Sequence, residues 1–395
     1  MKLDIYFRYE YDSEEAGIAD GKFSVSVTRG ILAGLFWAND DGILEDFLPI
    51  KHLPLIDGKG EYTITGNKMI PQGATKVICR VQDDAMLYIN LPELTIDIPV
   101  YKRFVPSEVI ATAFVTSDIH GGGAYFHNTD NRNSMWRLVG KAKPDCVLIA
   151  GDITNAGRAS EYEEGKNSIE EYLPDVPVIL STGNHDYNTY VKDLAPDVAA
   201  MHDFFEWQLE RNARLGVKNS ALYNNYFEAR VNGVQIIVLN PNHTENKFFL
   251  EPEQLSWLDE RLKESDAERF RVILTHFPQR GFVGHPEQRD VNMQRDNDEI
   301  QKVLDRHKNV LHISGHTHYN FDSDDVNVNL SGGVCYVDAG CAVWTGVCCE
   351  ERREYYIQSR SMGYRVEICK DMIVFRGIDF PSGKYIARCQ HFIKM

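Results

Sequence analysis

The sequence predicts an α/β layered domain preceded by a small all-β sandwich, with the change near residue 107. Three observations carry this reading. Up to about residue 105, short β-type runs alternate with turn residues. From residue 110 the runs become continuously apolar, as in strands buried on both faces of a parallel sheet, and helical stretches separate several of them. The length of 395 residues also exceeds the ~250 to 300 at which single cores stop growing.

In the first part the runs are "LDIYFRY", "KFSVSVT", "GLFWA", "EYTIT", "ATKVICRV" and "LTIDIPV", set apart by "DDG", "DGKG", "TGN" and "PQG". Runs this short between such turns are the signature of an antiparallel sandwich of immunoglobulin or fibronectin type, here an accessory domain over 1–107. This segment holds a single histidine, His52, and no cluster of ligand-type residues, so no chemistry is expected of it. In the second part, 108–395, the runs are "TAFVTS", "CVLIA", "PVILS", "VQIIVLN", "RVILT", "VLHIS" and "VCYVD". Between them "EPEQLSWLDERL" spaces Leu255, Leu258 and Leu262 along one helical face, with Trp257 read as packing. The last segment, "MIVFRGIDFPSGKYIARCQHFIKM", reads as a C-terminal extension of strands.

Composition narrows the function classes. A formal net charge of -16 argues against a nucleic-acid backbone or an anionic membrane as main partner, since both require a basic surface. The acidity is spread out, with 11 Lys and Arg against 17 Asp and Glu in residues 1–108. The start "MKLDIYFRYEYD" lacks a signal-peptide apolar core and no later run is as long as a membrane span, so a cytoplasmic protein is expected. The eight cysteines lack C-x-x-C spacing and read as reduced, mostly buried thiols.

Open parallel sheets collect ligands at the C-terminal ends of their strands, and there the sequence is distinctive. "TAFVTS" is followed by Asp118 and His120, "CVLIA" by Asp152, "PVILS" by Asn184 and His185, "RVILT" by His276, and "VLHIS" by His316 and His318. Asp118 and Asp152 are 34 residues apart, and Asp152 and Asn184 are 32 apart, close to the ~30 residues of one strand-helix-strand unit. Successive motifs would then emerge on neighbouring strands. With one residue between them, His316 and His318 can face two ions ~3.5 to 4 Å apart, and a carboxylate oxygen is the natural bridge.

This ordered set, D-x-H, GD, GNHD, a lone histidine and GHxH, resembles the calcineurin-like metallophosphoesterase superfamily over about residues 110–345. The resemblance implies a four-layer αββα sandwich. It also implies one metal held by Asp118, His120, Asp152 and His318 and a second held by Asp152, Asn184, His276 and His316. Nitrogen and oxygen donors without thiolate suit two divalent or mixed-valence transition-metal ions such as Mn, Fe or Zn. The implied activity is phosphoester hydrolysis, with a hydroxide bridging the metals attacking phosphorus and His185 contacting the phosphate or protonating the leaving oxygen. Asn155 in "GDITN" departs from the tyrosine of purple acid phosphatases and the aspartate of protein Ser/Thr phosphatases, so the phosphohydrolase branch with class III cyclic-nucleotide phosphodiesterases is the better match. The expected substrate is a phosphodiester or small organic phosphate.

Further candidates for substrate contact are Arg280, His243 and Asn155, with His127, Asn128 and Asp130 as lid or plain loop. His312 reads as a core histidine. The rival reading is a catalytically silent scaffold of the same fold that binds a protein partner. The first domain shows no aromatic and basic interleaving of a nucleic-acid platform, and a packing or homo-oligomerisation role is expected of it.

Overall fold

The computed structural model describes residues 5–83, 88–89, 94–122, 129–187, 195–222, 226–244, 247–265, 269–279, 281–283, 297–321, 327–349 and 354–394. The chain forms two compact units. The first is Met1–Glu108 with Val374–Ile378 and Gly383–Phe392; the second is Val109–Ile373 with Asp379–Ser382 and Ile393–Met395.

The first unit is all-β. Tyr6–Tyr11, Gly21–Ser26 and Lys59–Ile64 form one antiparallel sheet, and a second is centred on Leu32–Asn39 paired with Lys76–Gln82. Period-two alternation places Phe23 and Val25 inside, while Lys22 on the other face pairs with Glu61 at 2.7 Å. Phe7, Phe23 and Val25 from one sheet meet Leu35, Trp37, Val77, Cys79 and Val81 from the other in a single core. Ala387 belongs to that core, and Tyr385 donates its N–H to Asp46 O at 2.8 Å. Residues 374–378 and 383–392, expected with the second domain, therefore cluster with the first. An apolar strand pattern signals burial without saying in which core.

In the second unit, β1 (Val109–Thr116), β2 (Cys146–Ile149) and β3 (Val178–Leu180) run parallel, in the order β3-β2-β1. Helices α1 (Thr129–Ala142) and α2 (Ala159–Tyr172) make the crossovers, and α3 (Val198–Arg214) follows. The second sheet contains β4 (Phe227–Val231), β5 (Val234–Val238), β6 (Arg271–Leu274), β7 (Val310–Ser314), β8 (Val328–Ser331) and β9 (Val334–Asp338), in the order β4-β5-β6-β7-β9-β8. Its centre, β5-β6-β7-β9, is parallel, and β10 (Met362–Cys369) lies antiparallel to β1 in the first sheet. Every residue of β2, β3, β5, β6, β7 and β9 is buried, which is why those runs are apolar without alternation.

Helices α4 (Pro252–Glu264) and α5 (Asn297–Leu304) cover the second sheet, with Leu258, Leu262, Ile300 and Leu304 packed on Ile237, Ile273 and Val310. Leu255 and Trp257 pack against the same cluster. With α1 to α3 accompanying the first sheet, the unit is the expected αββα layering. Cys79, Cys146, Cys335, Cys341, Cys369 and Cys389 are buried free thiols. Among the described residues no helix is long and apolar enough to cross a membrane.

The edge of the first sheet is closed by side chains. Asn212 on α3 accepts from Val178 N at 3.1 Å and donates to Val178 O at 2.8 Å, and Gln208 accepts from Leu180 N at 2.7 Å. These two amides replace the missing neighbour strand of β3. Asn212→Leu strands two buried backbone groups and is expected to lower stability by ~2 kcal/mol in chemical denaturation. Glu206→Ala on the exposed face of α3 should leave it unchanged, and equal midpoints for the two variants would refute the edge-capping role.

Candidate metal centre

Strands of both sheets run out toward one place. β1 leads to Asp118 and His120, β2 to Asp152, β3 to Asn184 and His185, β6 to His276, and β7 to His316 and His318. Hydrogen bonds join the sheets at this edge, among them His276 Nδ1 to Ala150 O at 2.7 Å and Thr182 N to Asn240 Oδ1 at 2.7 Å. Within the first sheet Asp118 N donates to Gly151 O and His120 N to Asp152 O, both at 3.0 Å.

The backbone here is strained. Asp118, His120, Asp152, His316 and His318 have φ of 54°, 43°, 51°, 71° and 52°. Left-handed non-glycine residues cost ~1–3 kcal/mol each and cluster where function demands an unusual direction. The other such residues in the described chain are Asp57, Asn67, Lys143, Asn232 and Asn309; Asn, Asp and His adopt this region more readily than other residues, and what sets the first five apart is that they gather at one edge.

The strained turns bring the side chains together. Asp118 Oδ1 lies 2.9 Å from His318 Nε2 and 3.7 Å from His120 Nε2. Asp152 Oδ2 lies 3.8 Å from His120 Nε2 and 3.3 Å from His276 Nε2. His276 Nε2 is also 3.0 Å from Asn184 Oδ1 and 3.2 Å from His316 Nδ1. Three groups of donors suited to a metal ion result: Asp118, His120 and His318; Asp118, Asp152 and His276; and His120, Asp152 and His185.

Ring orientation supports a cation. His276 gives its Nδ1 proton to Ala150 O, which aims Nε2 at Asn184 Oδ1, Asp152 Oδ2 and His316 Nδ1. His318 Nδ1 faces Cys341 Sγ at 3.1 Å and Trp344 O at 3.3 Å, while Trp344 stacks on the ring at 4.0 Å and Nε2 turns to Asp118. A hydrogen bond behind each imidazole that aims the other nitrogen inward is the outer arrangement of histidine metal ligands.

Electrostatics agree. Burial raises the cost of ionising Asp118 and Asp152, but His318 beside the first and His276 beside the second outweigh it and hold both carboxyls well below their ordinary range. Burial pushes the imidazoles of His120 and His316 down to about 4 and about 3, keeping them neutral and able to ligate. His276 goes the other way, up to about 9, because Asp152 outweighs the same burial. His318 is likewise held above its ordinary range, Asp118 outweighing burial, so the two ionised carboxylates draw positive charge to this spot, as a divalent-cation site requires.

His185 is half-buried, its N–H on Asp152 Oδ1 and its Nδ1 2.8 Å from Asn155 O; the ring stands edge-on to His120 at 4.5 Å. Asn155 thus meets the cluster through its carbonyl. His312 is buried within β7, away from the cluster. Asp130 is exposed in the first turn of α1, His243 lies in a hairpin strand with its side chain outside the description, and Arg280, His127 and Asn128 lie outside the described residues.

Sequence reasoning overlooked four supports. Asp186, which closes "GNHD", accepts from Gly183 N, Thr154 N and Thr154 Oγ1 at 2.8, 3.0 and 2.8 Å; burial and then Asp152 push its carboxyl up to about 6. Asn240 and Asp338 end the runs "VQIIVLN" and "VCYVD", so the strand-end rule could have found both. Arg132 on α1 reaches His120 O at 3.3 Å and Ile119 O at 3.4 Å and pairs with Glu164, and nothing in the sequence flags it.

Residues 111–320, a little over half of the chain, match the calcineurin-like phosphoesterase family. The chain is 26% identical over 179 residues to a probable glycerophosphodiester phosphodiesterase of Arcobacter nitrofigilis, covering 45% of this chain and 58% of that protein. It is 26% identical over 182 residues to a probable cyclic nucleotide phosphodiesterase of Synechococcus, covering 45% and 59%. To a sphingomyelinase phosphodiesterase C of Dictyostelium discoideum it is 27% identical over 238 residues, covering 51% and 50%. The chain spans only half to three-fifths of the length of these relatives.

Gly183 offers a test of the geometry. A Cβ there would stand 2.2 Å from Asp152 Oδ1 and 2.7 Å from Asp152 N, so Gly183→Ala must displace the central carboxylate. Calorimetric affinity for divalent manganese is expected to fall at least ~10-fold, the scale of a disturbed ligand shell. Gly165→Ala in α2, where a Cβ meets only ordinary contacts at 3.6 Å and beyond, should leave that affinity alone.

Proposed function

Because the chain belongs to the calcineurin-like phosphoesterase family, we propose that it is a metal-dependent hydrolase of a phosphodiester or small organic phosphate. In this reading Asp118, His120, Asp152 and His318 hold one divalent ion, and Asp152, Asn184, His276 and His316 hold a second. The observation that carries it is the position of Asp152, whose Oδ2 is within 3.8 Å of an imidazole from each sheet, His120 and His276. A carboxylate so placed can serve two ions. Bound there, the ions would supply Lewis acidity, activating water and offsetting negative charge on the phosphoryl oxygens.

The chain's own residues account for the rest. Asn155 O anchors His185 Nδ1, so the opposite nitrogen, Nε2, is the one to present to a phosphate oxygen or to carry a proton to the leaving group. Asp186 holds the GD and GNHD turns together through Thr154 and Gly183, and this keeps His185 in step with Asp152. The names of the relatives, phosphodiesterases of glycerophosphodiesters, cyclic nucleotides or sphingomyelin, support a diester over a phosphoprotein substrate. A silent scaffold would have no use for a complete donor set, and the assays below separate the two readings.

Assays on an aryl monoester, an aryl diester and cyclic nucleotides, each with and without chelator, test the proposal. Turnover is expected only with metal present. Asp152→Ala and His276→Ala should reduce it to background and lower the bound-metal stoichiometry. His185→Ala should keep the metal and lower kcat by roughly 100-fold or more, the range for losing a proton-transfer group. Metal-loaded protein inert toward every ester would return the scaffold reading.

A further inference from the structure

We propose that Asp338 is a positioning residue that acts through Thr317 to hold the backbone arc carrying His316 and His318, and so sets the affinity of the centre for its metal ions. The inference rests on the metal-centre reading given above. Asp338 is the last residue of β9, in parallel register with Ser314 at the end of β7, and its side chain is fully buried. Its two oxygens have separate partners. Oδ1 accepts from Gly340 N at 3.0 Å, and Oδ2 accepts the hydroxyl of Thr317.

Thr317 sits between two left-handed residues, His316 at φ 71° and His318 at φ 52°. The arc is tied at its ends by Gly315 N to His276 O at 2.9 Å and by Gly346 N to His318 O at 2.7 Å. At its middle the hydroxyl of Thr317 is tethered to Asp338, beside His316 N, which donates to Asp118 Oδ2 at 3.2 Å, and the same Oγ1 accepts from Tyr319 N at 3.3 Å. Strained backbone keeps its shape only where its surroundings over-determine it. Released from Asp338, the arc can relax toward ordinary φ values, and both imidazoles would turn with it.

The tether also reaches the opposite ligand. Gly340, held by Asp338, accepts at its carbonyl the hydroxyl of Ser117, the neighbour of Asp118. A chain of bonds from Thr317 through Asp338, Gly340 and Ser117 therefore joins the arc to the turn that bears Asp118, and His318 Nε2 meets Asp118 Oδ1 at 2.9 Å. Were Asp338 present merely to satisfy Gly340, the hydroxyl of Thr317 would not matter.

The test uses the full chain, stripped of metal and titrated with manganese alone by calorimetry, with melting temperature recorded in parallel. Thr317→Val keeps the shape and removes the hydroxyl. It is expected to weaken binding ~10- to 100-fold, the range for partners behind metal ligands, while Thr317→Ser stays near the wild type. Asp338→Asn should weaken binding as well, and the double variant no further than the weaker single, since both would break one bond. Wild-type affinity in Thr317→Val overturns the proposal, as does a Thr317→Ser variant as weak as Thr317→Val. A wild type that takes up no manganese instead overturns the metal-centre reading, and this inference with it.

Discussion

A buried carboxylate shared between two sheets governs this molecule. Asp152 is 1% exposed, and an ionised carboxylate in that position is tolerable only if opposite charge or hydrogen-bond donors surround it. One oxygen takes the N–H of His185, and the other faces His120 of its own sheet and His276 of the next. The neighbouring backbone is shaped around that demand. Gly151, at φ 82°, lets the chain pass so close to His276 that a Cβ would lie 2.5 Å from Nδ1, and Gly183 presses equally closely on the carboxylate itself.

Pointing so many polar groups at one spot requires conformations that the backbone resists, and each strained turn has its own clamp. Asp186 takes amide protons from the GD and GNHD turns. The guanidinium of Arg132 collects the carbonyls of Ile119 and His120. Asp338 fastens Thr317 between the two histidines of the last turn. These clamps are buried polar or ionisable groups, costly to place in an interior without hydrogen-bond partners, as expected of a site whose precision matters more than local stability.

The first unit differs in kind. One of its buried cations, Lys102, is spent internally, with Nζ donating to the carbonyls of Ser13 and Glu15 and lying 4.8 Å from the Tyr11 ring centroid. Among the described residues none of the metal-type donor groups falls within it. Its structure is explained by the packing of two antiparallel sheets, and the chemistry of the chain is concentrated in the second unit.

Much of this could be read from the chain alone. Alternation against continuous apolar runs separated the sandwich from the layered domain, because the number of faces a strand buries is written in its residues. The strand-end rule located Asp118, His120, Asp152, Asn184, His185, His276, His316 and His318, since parallel strands deliver their C-terminal residues to one edge. The same rule, applied to "VQIIVLN" and "VCYVD", would have reached Asn240 and Asp338. What sequence could not supply is direction and partnership. Which imidazole nitrogen faces inward depends on carbonyls distant in the chain, as with His276 and Ala150; the reach of Arg132 depends on how α1 lies against the D-x-H turn; the C-terminal strands join a core that only folding reveals. Periodicity records whether a side chain is buried, whereas contacts between residues far apart exist only once the sheets have met.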